Sequence, residues 1–464
     1  MSKRIFLILF ILTLSFITLN NAFATTSMVA TGAGHTITIQ PNGTLWAWGW
    51  NSNGQLGDGT TIDRLTPIQI GSNTNWAQAT AGAFHTLAIK TDNTLWAWGQ
   101  NSNGQLGDET TTDRLSPVQI GNDTNWAQVD PGEFHTIAIK IDGTLWAWGW
   151  NSNGRLGDGT TTDRLTPVQI GNDTNWARAT AGRFKTVAIK TDRTLWAWGN
   201  NNNGYLGDGT TTDRLTPVQI GSDTNWAQVA TGVSHAIAIK TDGTLWTWGQ
   251  NVFGQLGDGT TENKLSPIQI GSDTNWAQVA AGEYHSIAIK IDGTLWAWGQ
   301  NGNGELGDGT TENKLSPVQI GSDTKWAQAA AGSAHTIATK TDGTLWAWGY
   351  NGNGYLGDGS TKDILSPEKI EVGISVQCNK NPKIKSIKPV KGNPGDKITI
   401  TGTNFCNDTG IVLFGKRKAS ISGWGKNIIT AKVPNINARK NVSVKVKTTK
   451  GISKPKIFKV LPDK

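Results

Sequence analysis

In the segment His135-Thr136-Ile137-Ala138-Ile139-Lys140 the apolar side chains are β-branched and recur with period two, the pattern of a strand with one face in a core. Asp142-Gly143 follows, a dipeptide that tolerates positive φ in a two-residue hairpin turn, and Thr144 to Gly149 returns as a second strand. A glycine-rich loop from Asn151 to Gly159 then leads to Leu165-Thr166-Pro167-Val168-Gln169-Ile170 and to Trp176-Ala177. Residues 128–177 therefore predict about four short strands and no amphipathic helix.

The pattern repeats every 50 residues. Thr44-Leu45-Trp46-Ala47-Trp48-Gly49 returns at 94, 144, 194, 244, 294 and 344, and Thr247 is the single change. Seven copies without insertion or deletion mean one supersecondary unit that buries its apolar face against its neighbours. Such units close into a β-propeller, which removes most open sheet edges, or stack into a linear solenoid. Staggered ends favour the ring: the first copy has Thr26 where later copies have Trp, and the last ends at Ile370 without a following Trp strand. The segment near 28–32 and the strand near 364–372 are expected to meet.

The two Trp of each Leu-Trp-x-Trp-Gly strand are too regular for a binding device and are expected to cement blade to blade. All six histidines, His35, His85, His135, His235, His285 and His335, share one register, with Lys185 in the seventh place. A ring of imidazoles suits a metal or a pH switch, but an ammonium in the ring repels a cation and no Cys, Asp or Glu accompanies the His at ligand spacing. Satisfied structural histidines are expected, with no metal and no cofactor. Asp58 in Gly57-Asp58-Gly59-Thr60-Thr61 lacks the order of a calcium loop and reads as a turn residue.

Outside the repeats the chain changes character. Lys3 and Arg4 precede an apolar run from Ile5 to Leu19, and Ala22-Phe23-Ala24 follows, so residues 1–24 read as a signal peptide. The expectation is a propeller over 25–374 and a second domain over 375–464, with no transmembrane segment, in a monomer that is secreted, periplasmic or at the cell surface. The only cysteines, Cys378 and Cys406, are expected to form one disulfide there, two free thiols being the alternative. From Cys378 onward 18 Lys and 2 Arg face only Asp396, Asp408 and Asp463, a net of +17; the whole chain is +7, which leaves −10 for residues 1–377. Such a tail reads either as solubility or as affinity for an anionic surface.

The elements His-Thr-Ile-Ala, Asp-Gly-Thr-Leu-Trp-Ala-Trp-Gly and Asn-x-x-Gly-Gln-Leu-Gly, as at 85–108 and 285–308, resemble the regulator of chromosome condensation (RCC) repeat over roughly residues 28–372. That resemblance implies a seven-bladed propeller, put to varied uses: nucleotide exchange on a Ran-type GTPase with chromatin binding, ultraviolet sensing in plants, and inhibition of β-lactamase by a secreted bacterial member. This chain departs from the first two. Its 50-residue spacing leaves no room for the exchange factor's wedge, and Phe84, Phe134, Phe184 and Tyr284 stand where the photoreceptor places Trp. Ile384 to Pro389, Gly395 to Phe405, Val412 to Gly415 and Val433-Pro434 resemble an IPT/TIG domain, which implies a small immunoglobulin-like β-sandwich used as a spacer or adhesive module. Alternation supports strands there independently, with Ile398 and Ile400 set against Thr399 and Thr401. The fold class expected is thus all-β, a seven-bladed β-propeller followed by that sandwich.

Where the copies differ, the scaffold leaves the residue free. Two registers vary, the pair before each His and the residues one and six positions after each Trp-Gly, and the hairpin brings both to one rim opposite the Asp-Gly turns. They supply Trp50, Phe84, Glu133, Phe134, Trp150, Arg155, Arg183, Phe184, Lys185, Tyr205, Tyr284, Tyr350 and Tyr355 as candidate binding residues, densest around Glu109, Asp130, Pro131 and the run to Lys185. Drift after duplication is the competing explanation. No nucleophile has a base and an orienter within a shared motif, so an enzyme is not expected. The reading is an exported binding protein whose rim recognises a protein or other macromolecule, with the basic domain as positioning or adhesive module. Alternatives are a secreted exchange factor acting on a host small GTPase, and a wall- or glycan-binding protein held on an anionic polymer.

Overall fold

A computed structural model describes residues 28–372, 381–405, 410–425, 427–436, 440–448 and 451–461. The expected leader and both cysteines, Cys378 and Cys406, lie outside the described residues. Seven antiparallel four-stranded units follow one another along the chain. Blade one comprises Met28–Thr31, His35–Ile39, Leu45–Gly49 and Asp63–Gln69, in that order from the axis outward. Blades two to seven begin at Trp76, Trp126, Trp176, Trp226, Trp276 and Trp326, and the last ends with Ile364–Ile370.

The apolar side chains meet between blades. Leu87, Ile89, Leu95 and Leu106 of blade two pack with Trp126 and Trp148 of blade three in one cluster, and the other seams repeat it. The second Trp of each Leu-Trp-x-Trp-Gly strand is fully buried, and Trp98 Nε1 donates 2.9 Å to the Gln55 carbonyl of the preceding blade's loop. Indole burial of this kind, about 150–250 Å² per ring, is what makes the seams adhesive. Face-to-face packing carries the closure as well. Val29 and Ile370 share one cluster, but Met28–Thr31 pairs only within blade one and Ile364–Ile370 only within blade seven. The two ends thus meet through side chains rather than in a composite sheet. Gln328 Nε2 of blade seven donates 3.3 Å to the carbonyl of Val29 across that seam.

The C-terminal domain is a two-sheet sandwich around Ile398, Ile400, Phe405, Val412, Phe414, Trp424, Val444, Val446 and Phe458. It docks on blade one. Gly423 and Trp424 pair in parallel with Asp63 and Arg64, so that one sheet of the sandwich continues the sheet of the blade. Leu65 is 2% exposed beneath it, whereas its counterparts Leu115 to Leu365 in the other six blades are 36–40% exposed. The sequence explains the choice of blade. Ile62 packs against the sandwich core, and its register holds Thr112, Thr162, Thr212, Glu262, Glu312 and Lys362 elsewhere, none of which offers an apolar side chain. No helix of the described residues is long and apolar enough to cross a membrane.

Candidate functional site: the rim around the channel mouth

Each inner hairpin delivers two variable residues to the same edge of the ring. In blade three His135 pairs with Gly149, whose φ of 97° turns the chain so that Trp150 N donates 2.9 Å to the Phe134 carbonyl. A Cβ on Gly149 would lie 2.6 Å from that same carbonyl oxygen, so glycine is required there. The rings of Phe134 and Trp150 consequently meet edge to face at 5.6 Å.

Repeated around neighbouring blades, this geometry builds a continuous arc. Trp50 meets Phe84 at 5.5 Å, Phe84 stacks on Phe134 at 5.7 Å, and Phe134 meets Trp150. The Arg155 guanidinium then lies 3.8 Å over Trp150 and 5.8 Å from Phe184, while Arg183 covers Phe184 at 4.9 Å and Phe184 stacks on Tyr205 at 6.4 Å. Aromatic faces alternating with guanidinium planes gain from both ring quadrupole and cation, on the order of 0.5–2 kcal/mol per contact. Glu133 closes the group with an ion pair to Arg183 at 2.5 Å. Burial pushes the Glu133 carboxyl above its ordinary value, against the nearby Arg183 charge. The arc borders a depression of about 200 Å³ at the channel mouth, where glycine and alanine form a collar and Glu133, Arg183 and Glu283 are the charged members.

Three predicted residues are not surface residues. Arg155 and Lys185 are fully buried and Tyr205 is 8% exposed. The cause is local: the loop folds its sixth residue after Trp-Gly under the rim, and Gln55, Gln105, Gln255 and Glu305 are buried likewise. Arg155 donates through Nη1 to the Arg183 carbonyl at 2.8 Å and through Nη2 to Ser152 and Asn153, which holds it as a plate beneath Trp150. Burial lowers its pKa to about 10. Lys185 lies under Tyr205, its Nζ 5.4 Å from the ring centroid.

The remaining predicted residues sit apart from the arc. Tyr284 meets Phe253 at 5.2 Å, and Tyr350 meets Tyr355 at 5.2 Å. Tyr355 fits because Gly34 has no side chain; a Cβ there would come within 2.5 Å of the ring. Phe253 was missed, although it alone replaces the Asn of its register, as in Asn53, Asn203 and Asn303. At Val233-Ser234 the arc ends for want of an aromatic residue.

Below the rim the histidines join the blades. His35 Nε2 lies 2.9 Å from Thr86 Oγ1, which donates 2.8 Å to the Gln55 carbonyl, so the imidazole is the donor to Thr86. The other five repeat the contact across their seams at 3.0–3.5 Å, to Thr136, Thr186, Ser286, Thr336 and Thr36. Burial holds His35, His85 and His335 at about 3, so the ring is neutral at ordinary pH. On the far rim Lys140 is held between Trp126 and Trp146 at 4.8 and 3.9 Å and pairs with Asp123 at 2.7 Å. The ring contacts recur in blades two to seven and the ion pair in blades three to seven, so the motif serves the scaffold.

Comparison with known proteins agrees with this architecture. The RCC1-like domain matches residues 17–227 and again 177–389, and the IPT/TIG domain matches 382–460. Prp20p of Saccharomyces cerevisiae, whose structure was described with its binding to Gsp1p and histones, superposes with a TM-score of 0.65 at 21% identity, covering 84% of this chain and 92% of that one. Human WBSCR16 gives 0.61 at 22% identity over 68% of this chain and 86% of its own. Among curated proteins, the ultraviolet-B receptor UVR8 of Arabidopsis thaliana is 38% identical over 52 residues, 11% of each chain. A cyclomaltodextrin glucanotransferase of Geobacillus stearothermophilus is 38% identical over 64 residues, 14% of this chain and 9% of its own. The chain thus spans about a tenth of the length of the curated relatives it matches.

Proposed function

The chain belongs to the RCC1-like domain family, and from that premise we propose that it is an exported binding protein that recognises a protein partner through the aromatic and guanidinium arc of blades one to four. Its IPT/TIG domain positions the propeller on an anionic polymer or glycan. One observation carries the reading of the rim. On a scaffold of seven near-identical blades, Trp50, Phe84, Phe134, Trp150, Phe184 and Tyr205 form an unbroken run through four of them, with Arg155 inserted between rings. Aromatic residues and Arg are the side chains enriched where interfaces concentrate their energy. Export rests on the leader pattern of residues 1–24, which supports action outside the cytoplasm, secreted, periplasmic or at the cell surface. The His register is taken up by inter-blade hydrogen bonds, which supports a protein that binds rather than catalyses.

Affinity capture with the immobilised full chain tests this. A partner retained by the wild type and lost on the double change Trp150→Ala, Phe184→Ala, with unfolding temperature unchanged, supports the rim. Retention unchanged by the double change overturns it. Accelerated release of nucleotide from a small GTPase by the wild-type protein would assign it to exchange activity instead.

A further inference from the structure

The docked sandwich has two faces of different chemistry. Lys391–Gly392, Lys456–Val460, Lys440–Thr448, Ile411–Phe414 and Arg417–Lys418 form its second sheet, the one that does not continue blade one. Alternation sends Val444, Val446, Val412, Phe458 and Val460 into the core, all fully buried. Lys445, Lys447 and Lys459 therefore point outward, and the register sets Lys459 opposite Lys391 at the edge. Lys391, Lys447 and Lys459 are exposed, and Lys445 is half-buried. Lys391 and Lys459 are cross-strand neighbours and Lys445 and Lys447 same-face neighbours, about 5–7 Å apart within each pair. Lys459 stands opposite Asn441, which sets the two pairs roughly 13 Å apart along the sheet, with Lys418 beyond Leu413 from Lys445. Exposed Ile457 and Ile452 lie among them.

Nothing among the described residues neutralises this face. The ion pairs of the described residues all lie at or before Lys369 and Glu371. The one described carboxylate of the domain, Asp396, caps a turn, accepting from Asn393 N at 2.7 Å. The docked sheet differs: Asp63 of blade one, pushed up to about 6 by burial, has Lys397 of that sheet acting on it in the opposite direction. Docking on blade one thus sets part of the first sheet's charge against a propeller of net −12, the −10 of residues 1–377 less the two positive charges of Lys3 and Arg4, and leaves the second sheet free. All four described large aromatics of the domain, Phe405, Phe414, Trp424 and Phe458, are at most 1% exposed. A surface without aromatic platforms does not read unpaired bases, which bind by stacking.

We infer that this lysine face is a binding surface for a linear polyanion without bases, a flexible chain whose closely recurring phosphate or carboxylate groups can engage both lysine pairs at once. The inference rests on reading the C-terminal domain as the positioning module and names the face and ligand chemistry that reading left open. Long-chain inorganic polyphosphate and polyglutamate serve as probes, the first for phosphate and the second for carboxylate, against the full-length protein. Two charge-matched variants decide the matter: Lys391, Lys445, Lys447 and Lys459 each to Gln, and Lys383, Lys388, Lys397 and Lys432 each to Gln, the second set lying on the docked sheet. The first set is expected to weaken polymer binding at least tenfold and to flatten the slope of log affinity against log salt by about 3, four charges at roughly 0.7 each. The second is expected to change binding less than threefold. Equal losses from both sets would overturn the face while leaving electrostatic positioning intact. No retention of the wild-type chain on either polymer at low salt would remove the positioning reading and the inference with it. Tighter binding to a single-stranded oligonucleotide than to polyphosphate would reject the base-free ligand. Unfolding temperatures of both variants, expected to match the wild type because seven of the substituted lysines are exposed and Lys445 is only half-buried, exclude misfolding as the cause.

Discussion

Lys185 Nζ donates a hydrogen bond of 2.9 Å to the backbone carbonyl of His235, across the seam between blades four and five. At every other seam a histidine stands in the place of Lys185 and meets a hydroxyl of the next blade. Here the hydroxyl is missing, because residue 236 is Ala where the other blades carry Thr36, Thr86, Thr136, Thr186, Ser286 and Thr336. The two departures from the repeat meet at one seam: without an acceptor for an imidazole N–H, a longer cation reaches the adjacent carbonyl.

Lys185→His and Ala236→Thr should therefore be coupled. Each alone leaves one partner unsatisfied, while together they rebuild the contact of the other six seams. A double-mutant cycle by denaturant unfolding is expected to return a favourable interaction of about 1 kcal/mol. Additive effects would show that the two positions vary independently.

Burial pushes the Lys185 ammonium down to about 7 and the Asp130 carboxyl up to about 7. The consequences run in opposite senses. A lysine lowered in the folded state weakens the fold while it is charged, so wild type should gain stability relative to Lys185→Met as pH rises from about 7 toward 10.5. A carboxyl raised in the folded state favours the protonated form, so wild type should lose stability relative to Asp130→Asn as pH rises from about 4 to 7. Thermal unfolding of the three proteins across that range reads both slopes, and slopes of the reverse sign would refute the assignment.

Arg155→Gln separates recognition from folding. Glutamine is the residue of Gln55, Gln105 and Gln255 in the same buried register, so stability should stay within about 1 kcal/mol of wild type. Loss of the guanidinium between Trp150 and Phe184 should nevertheless cost partner binding about tenfold. Equal partner affinity in titration calorimetry would remove Arg155 from the site.

Ile62→Thr installs the residue found at 112, 162 and 212 and should release the C-terminal domain from blade one. Small-angle scattering should then report a larger radius of gyration, with the unfolding temperature of the propeller unchanged. A compact particle would mean that the pairing of Gly423 and Trp424 with Asp63 and Arg64 suffices alone.

Arg193 adopts φ of 65° in a turn where Gly43, Gly143, Gly243, Gly293 and Gly343 stand in other blades. A left-handed non-glycine residue costs about 1–2 kcal/mol, so Arg193→Gly should stabilise the propeller by about 1 kcal/mol in chemical unfolding.

The strands, the turns and the buried indoles were legible because each is dictated by local pattern: alternation, Asp-Gly at the hairpin, and a Trp at one fixed register. The arc was legible in composition and in side of the ring, since Phe134 and Trp150 are brought together by a hairpin whose register the sequence specifies. Which members are exposed was not. Arg155 looked like a contact residue because it departs from Gln, yet its loop tucks that register beneath the rim in blade after blade. Phe253 and Ile62 carried the same kind of signal, a single departure at an otherwise uniform position, and their partners, Tyr284 and the C-terminal core, are 31 residues and hundreds of residues away.

By itself the sequence determined the repeating unit, its all-β character, its division into propeller and sandwich, and the rim on which variation accumulates, because period, turn chemistry and hydrophobic alternation act within a few residues of chain. Only the tertiary structure decided that the ends meet by packing rather than by shared pairing, that the sandwich sits on blade one, and that Lys185 answers Ala236. Those relationships join positions distant in sequence through distances and burial, and a linear pattern encodes neither.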